Sequence, residues 1–177
     1  MLLQFARRKL QRKSCSFYLS RSSLTLQQLR FLSTRVDSQK LTYDVSAQRV
    51  DAHGSVAKCK SAFVIIDTDL KGRKDAFNPA ELLLAALAAC RLKSIERVTP
   101  LLKFDLQGVN IRLHGVRQDV PPRMESITYE ITVTTNENDD RLDLLHKNIK
   151  KYGTVYNTIL PGTELKGKLI KQSKDLS

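Results

Sequence analysis

The chain of 177 residues carries 30 Lys and Arg against 18 Asp and Glu, a formal net charge of +12, with 41% of its residues hydrophobic and 27% charged. This length fits one globular domain with an appendage, and the composition excludes a collagen-like repeat, a long acidic tail and a wholly disordered chain. Cysteine is sparse: Cys15, Cys59 and Cys90 form no Cys-x-x-Cys pair and no Cys/His cluster at zinc-ligand spacing, so neither a metal nor a cofactor is expected.

The charge is unevenly placed. Met1 to Leu32 holds seven basic residues (Arg7, Arg8, Lys9, Arg12, Lys13, Arg21 and Arg30) and no acidic one, whereas the other 145 residues carry 23 basic against 18 acidic. A basic segment rich in Ser and Leu, with Leu3, Ala6 and Leu10 at helical spacing, has the composition of a mitochondrial presequence. The run Arg30-Phe31-Leu32-Ser33-Thr34 suits matrix processing near Leu32, which makes residues 33–40 a linker and residues 41–177 the domain. A basic arm that binds nucleic acid or a membrane surface is the alternative reading of the same residues. For the rest of the chain nucleic acid is not an expected partner, because a small residual charge with 6% aromatic residues and no RNA-reading motif is unexceptional. No membrane span is expected either: the longest apolar run, Leu82 to Cys90, has nine residues where about 18 are needed. A matrix location would keep the mature thiols reduced.

Leu41 to Ala47 and His53 to Cys59 alternate in polarity around a polar turn and predict a hairpin, with Ala62 to Thr68 as a third strand and Asp67 to Phe77 as a loop. Asn78-Pro79 then opens a helix with an N-cap, a proline at the first helical position and Glu81 in the first turn. This helix is predicted to run from Pro79 to about Val98, with Pro100 as its break. Its first half, Leu82 to Ala89, is apolar all round and should be buried on every side; its second half, Arg91 to Arg97, should emerge toward solvent or line a polar cleft. Leu106 to His114 and Ser126 to Thr135 read as strands separated by Pro121-Pro122. A helix from Asn138 to Tyr152 follows with the stripe Leu142, Leu145, Ile149, then a helical piece at Val155 to Ile159 and a strand at Glu164 to Lys171. The order is that of an α+β fold. A helix that is apolar on all sides for two turns needs more cover than one small sheet supplies, so a homodimer is expected. His53, His114 and His146 stand apart in sequence and read as ordinary surface or strand residues.

The feature that carries chemistry is Cys90 at the end of this apolar run. On an ideal helix Ser94 and Arg97 fall on its side, within roughly 40° of it, and Lys93 about 60° away. A neighbouring cation favours the thiolate, the species that attacks peroxides and disulfides; packing as a small core residue is the competing reading.

The run Asn78-Pro79-x-Glu81-Leu82-Leu83-x-Ala85-Ala86-x-Ala88-Ala89-Cys90 resembles the signature of the OsmC/Ohr family, and the similarity extends over roughly Leu41 to Lys171, including Lys151 to Ile159. The resemblance implies an α+β, OsmC-like fold in which β-sheets pack around long central helices of an intertwined homodimer. It also implies a thiol-dependent hydroperoxide reductase in which Cys90 attacks the peroxide and a second cysteine resolves the sulfenic acid. The chain departs from that pattern in three places. Gly153 stands where the second cysteine would fall. The carboxylate that the hydroperoxide-reducing branch has ten residues before the reactive cysteine is Ala80 here, and Glu81, nine before, would point half a turn away unless it caps the helix or reaches the other subunit. The family arginine has no clear match, with Arg97 a geometric stand-in. Cys59, between Lys58 and Lys60, is a further candidate for the resolving thiol.

Two functional readings follow. One is a mitochondrial OsmC-like peroxidase or redox protein with Cys90 and Glu81 as site residues, acting on a small hydroperoxide with an external thiol as reductant. The other is a non-catalytic structural or binding subunit of a larger mitochondrial complex, favoured by Gly153 and the basic residues Lys166, Lys168, Lys171 and Lys174.

Overall fold

The computed structural model describes residues 40–172; the expected presequence, and the linker up to residue 39, lie outside the described residues. Contacts divide the chain into Met1–Tyr43 and Asp44–Ser177, and the fold below is that of the second unit.

It opens with a three-stranded antiparallel sheet, β1 (Ser46–Arg49), β2 (Gly54–Cys59) and β3 (Ala62–Asp67), in that spatial order. The first strand lies further along the chain than Leu41–Ala47, and the turn explains the shift. The Asp51 carboxylate accepts from the backbone N–H groups of His53 and Gly54, while Val50 and Asp51 donate to the Gly54 carbonyl. This closed turn starts the ladder at Arg49↔Ser55. Phe63 on β3 remains 72% exposed and Ile65 45% exposed.

Helix α1 (Pro79–Leu102) begins with a full capping box: Asn78 Oδ1 accepts from Glu81 N at 3.0 Å and Glu81 Oε2 accepts from Asn78 N at 2.9 Å. It outruns the predicted end at Val98 because Pro100 falls in the last turn, where its missing N–H removes one helical bond and no more. Lys103, in the left-handed region at φ 49°, then closes the helix by donating to the carbonyls of Thr99 and Pro100. The burial of α1 reverses the expectation within the chain. Leu87 is the one fully buried residue of the apolar first half, whereas Arg91, Ser94, Ile95, Val98 and Thr99 of the second half are buried.

Strands β4 (Gly108–Gln118) and β5 (Arg123–Thr134) form a long antiparallel hairpin, and β6 (Glu164–Gln172) pairs in parallel with β5. The hairpin reaches further toward Pro121-Pro122 than the predicted strands, since alternation continues through the register shift at Val116/Arg117. Between β5 and β6 lie α2 (Asp139–Ile149), capped by Asn138 and ending before the predicted Tyr152, and α3 (Thr154–Ile159). The inward residues of β5, Ile127, Tyr129, Ile131 and Val133, meet Leu87, Ile95 and Val98 of α1 and Leu142, Leu145 and Ile149 of α2 in one hydrophobic core. Arg141 ties the helices together: its Nη2 donates to the carbonyls of Leu102 and Lys103, and its Nε pairs with Glu137 at 3.0 Å. A cation thus meets the carbonyl end of α1, where the helix dipole favours it.

Tyr129 and Gly167 are direct partners across β5 and β6, and the phenol ring occupies the space beside the glycine, so any Cβ there would overlap the ring. Gly167→Ala must displace Tyr129, and overpacking of this kind costs about 1–3 kcal/mol. Chemical denaturation should show a lower midpoint with an unchanged slope.

Candidate functional site

Cys90 lies in the middle of α1, half-buried, and its sulfur faces the residue that precedes α3. That residue is Gly153, with φ −90° and ψ 104°, a backbone conformation open to any amino acid. Its lack of a side chain therefore serves space, not backbone freedom. A Cβ built there would stand 3.1 Å from Cys90 Sγ, 3.0 Å from Tyr156 Cβ and 3.7 Å from Arg91 Nη1. The helix turn of α1 and the start of α3 bring the thiol, a guanidinium and an opening to one point.

Arg91 is fully buried, which corrects the expectation that it faces solvent. Its Nη1 donates to the Ile149 carbonyl at 3.1 Å, and its guanidinium carbon sits 3.5 Å from the centroid of Tyr156 and 5.1 Å from that of Tyr129. Among the described residues Nε and Nη2 are the buried side-chain nitrogen or oxygen atoms left without a hydrogen-bond partner. Aromatic faces give a desolvated cation about 2 kcal/mol or more of attraction, which offsets part of its burial cost.

His146 is likewise not a plain surface residue. Its Nε2 lies 3.2 Å from Tyr129 Oη and the two rings meet edge to face. Burial above all, with the charges of Lys150 and Arg91, depresses its pKa from 6.5 to about 4, so it is neutral at pH 7; burial also raises that of Tyr129. His53, by contrast, pairs with Asp69 on the surface at 2.6 Å.

The other anticipated site residues are dispersed. Ser94 Oγ donates to the Cys90 carbonyl at 2.8 Å, so its proton serves the backbone rather than the sulfur. Arg97 is exposed and rests 5.9 Å from the Tyr152 ring centroid, and Lys93 is exposed. Glu81 has its carboxylate in the capping box, and Cys59 is a free cysteine at the turn between β2 and β3. Among the described residues no group of three or more His, Cys, Asp and Glu side chains could hold a metal ion, and no helix is long and apolar enough to cross a membrane.

Residues 72–168 match the family profile described as OsmC-like protein. The chain belongs to the OsmC-like family. Among solved structures, this family member resembles an OsmC-like protein of Mycoplasma pneumoniae, with a TM-score of 0.69 at 18% identity over 75% of this chain and 98% of that one. The organic hydroperoxide resistance protein OsmC of Legionella pneumophila aligns with a TM-score of 0.57 at 18% identity, covering 74% and 99% of the two chains. OhrB of Bacillus subtilis, an organic hydroperoxide resistance protein, aligns with a TM-score of 0.52 at 16% identity over 73% and 98%. At these identities the likeness establishes the OsmC-like fold. A comparison with curated protein sequences gives no match.

A histidine held neutral in the fold but ionising near 6.5 when unfolded draws the unfolded state a proton in acid. Its contribution to stability is therefore present above pH 6.5 and lost as the pH falls toward about 4. The melting temperature should drop between pH 7 and pH 5 with uptake of about one proton on unfolding near pH 5. The drop should shrink in His146→Gln; calorimetry across this range measures both.

Proposed function

We propose that this OsmC-like protein is a thiol-dependent hydroperoxide reductase with Cys90 as its nucleophile. The observation that carries the reading is the placement of the half-buried Cys90 sulfur, which faces the side-chain-free position of Gly153 that the buried Arg91 also borders. The hydroperoxide-resistance proteins that share its fold support it. The thiolate attacks the terminal oxygen of R–O–O–H: the S–O bond forms, the O–O bond breaks, and the alkoxide takes a proton to leave as the alcohol. Sulfur has then been oxidised by two electrons to the sulfenic acid. An external thiol attacks that sulfur and releases water, and a second thiol displaces Cys90 from the mixed disulfide, leaving the oxidised cosubstrate. Gly153 gives this cycle its form, because the place from which an internal thiol would act is open.

The same reading includes a homodimer and a mitochondrial matrix location. The first rests on the apolar side chains that α1 and β3 leave partly uncovered in one chain, Leu92 on the helix and Phe63 and Ile65 on the strand. The second rests on the basic, acid-free composition of Met1 to Leu32. Sedimentation of residues 33–177 checks the first, and import of a reporter fused to residues 1–40 checks the second.

The protein should consume cumene hydroperoxide in the presence of dithiothreitol, and Cys90→Ser should lower the rate at least a hundredfold, with sulfenic acid trapped at Cys90 by dimedone. A Cys90 that stays unmodified by organic hydroperoxides would instead support the non-catalytic subunit. Geometry adds a sharper outcome. A Cβ 3.1 Å from Sγ is at the separation found across a disulfide, so Gly153→Cys should form an intramolecular bond with Cys90 on oxidation. Peptide mapping of the oxidised variant by mass spectrometry reads this directly.

A further inference from the structure

With glycine at position 153, the thiol that resolves Cys90 must come from a second molecule, and the surface around the sulfur decides which thiols arrive fastest. Over the two helical turns beyond Cys90 the exposed charges of α1 are Lys93, Glu96 and Arg97; from the last turn of α2 to Gly153 they are Lys147, Lys150 and Lys151. Five cations thus stand against one carboxylate, and none of the six takes part in a salt bridge among the described residues. The two segments meet: Arg97 Cζ lies 5.9 Å from the Tyr152 ring centroid, which lays the residue before Gly153 against α1. Arg97 is about 10 Å along the helix axis from Cys90, and Lys150 and Lys151 are at most about 11 Å and 7 Å of chain from Gly153. These separations are comparable with the Debye length of about 8 Å at physiological ionic strength, so their charges act together at the sulfur whichever way each flexible side chain turns. The charge of Lys150 also reaches inward, where after burial it is the next cause of the depressed ionisation of His146.

We propose that this basic rim selects the cosubstrate of Cys90: a small thiol that carries free carboxylates, in preference to a neutral or cationic one. The proposal rests on Cys90 as the reactive group and deepens that reading by naming the class of its reductant. The rim does not set the immediate contacts of the sulfur. It raises the local concentration of anions at the site, which exposed charges can do and which salt weakens. A small molecule suits the position, because the sulfur is half-buried and Tyr156 borders the space left at Gly153. The thiolate of the anionic cosubstrate attacks the sulfenic sulfur: the S–S bond forms, the S–O bond breaks, and hydroxide leaves and takes a proton to become water. A second thiolate of the same kind attacks the cosubstrate half of the mixed disulfide and releases Cys90 as thiolate. The two cosubstrate thiols have then lost the two electrons that the sulfenic sulfur gained.

The test isolates the resolving step. The full chain carrying Cys15→Ser and Cys59→Ser, with Cys90 as its one thiol, is converted with dipyridyl disulfide to the thiopyridyl mixed disulfide, and release of thiopyridone by added thiols is timed. The probes are glutathione and glutathione diethyl ester, compared at equal thiolate concentration; they share a skeleton and differ in two free carboxylates. The glutathione-to-ester rate ratio of the native protein should exceed that of the same chain unfolded in urea by roughly tenfold at low salt, and the excess should shrink as salt is added. Lys150→Glu with Lys151→Glu should bring the ratio down to the unfolded value or below. Lys166→Glu with Lys168→Glu, an equal change of net charge on β6, should leave it unchanged. Equal ratios in native and unfolded protein, or an equal fall in the two double variants, would overturn the proposal. So would a native Cys90 that dipyridyl disulfide cannot label, since a sulfur closed to a small disulfide is closed to a small thiol. Because no peroxide enters the assay, an anion-selective Cys90 in a protein inert to hydroperoxides would refute the proposed activity and leave the rim standing as the selector of a thiol–disulfide exchange site. Full peroxidase activity with an unselective Cys90 would do the reverse.

Discussion

The guanidinium of Arg91, stacked on Tyr156 and near Tyr129 and bonded to the Ile149 carbonyl, is where the parts of this fold converge. A charge with no exposed surface is tolerable only if its surroundings are fixed, since any loosening lets the cation seek water and the core with it. Through this one side chain α1 is joined to the central strand β5, to the last carbonyl of α2 and to α3. Tyr129 can take part because Gly167 on the next strand leaves room for its ring, and because His146 accepts or donates at its hydroxyl. The polar cluster is thus set by packing: Tyr129 and Tyr156 belong to the same buried core as Ile127, Ile131, Leu145 and Ile149, which keeps the local dielectric low.

That arrangement also places the sulfur. Cys90 precedes Arg91, so fixing the guanidinium fixes the rotation of α1, and the thiol turns to the start of α3. Gly153 there removes the obstruction, and Tyr156, which covers the guanidinium, borders the same opening. Packing and position are coupled here, since the group that joins α1 to its neighbours borders the same opening that the sulfur faces.

Much of this was legible from spacing and caps. Asn78-Pro79 with Glu81 announced the start of α1, alternation in β4 and β5 announced the hairpin, and the stripe of Leu142, Leu145 and Ile149 announced the buried side of α2. Gly153 stands, by resemblance, in the second cysteine's place, and the structure sets it against the sulfur. The burial of α1 was misread because the pattern of Leu82 to Ala89 shows that a segment requires cover without showing that one chain provides it. Arg91 was misread because an arginine is ordinarily a surface residue. A signal was present: Leu87, Arg91, Ser94, Ile95 and Val98 follow the period of one helix face, and Arg91 interrupts an otherwise small or apolar stripe. What spacing cannot report is a partner distant in sequence, and Tyr129, Ile149 and Tyr156 arrive from three other elements.

Glu81 shows how the same physics removes a residue from the chemistry. A carboxylate nine positions before Cys90 is half a helical turn out of phase, and at the third helical position it is also in reach of the free N–H groups that begin α1. It takes that role, with both reciprocal bonds formed. The acidic residue is thereby committed to the helix end, and the neighbouring cation Arg91 is held inside the core. The net charge of the surface has little bearing on this, because exposed charges are screened by solvent and salt while one buried among aromatic rings is not. The surroundings of Cys90 are therefore set by the interior packing of α1 against α3, in which Arg91 and Tyr156 take part, and not by the basic surface.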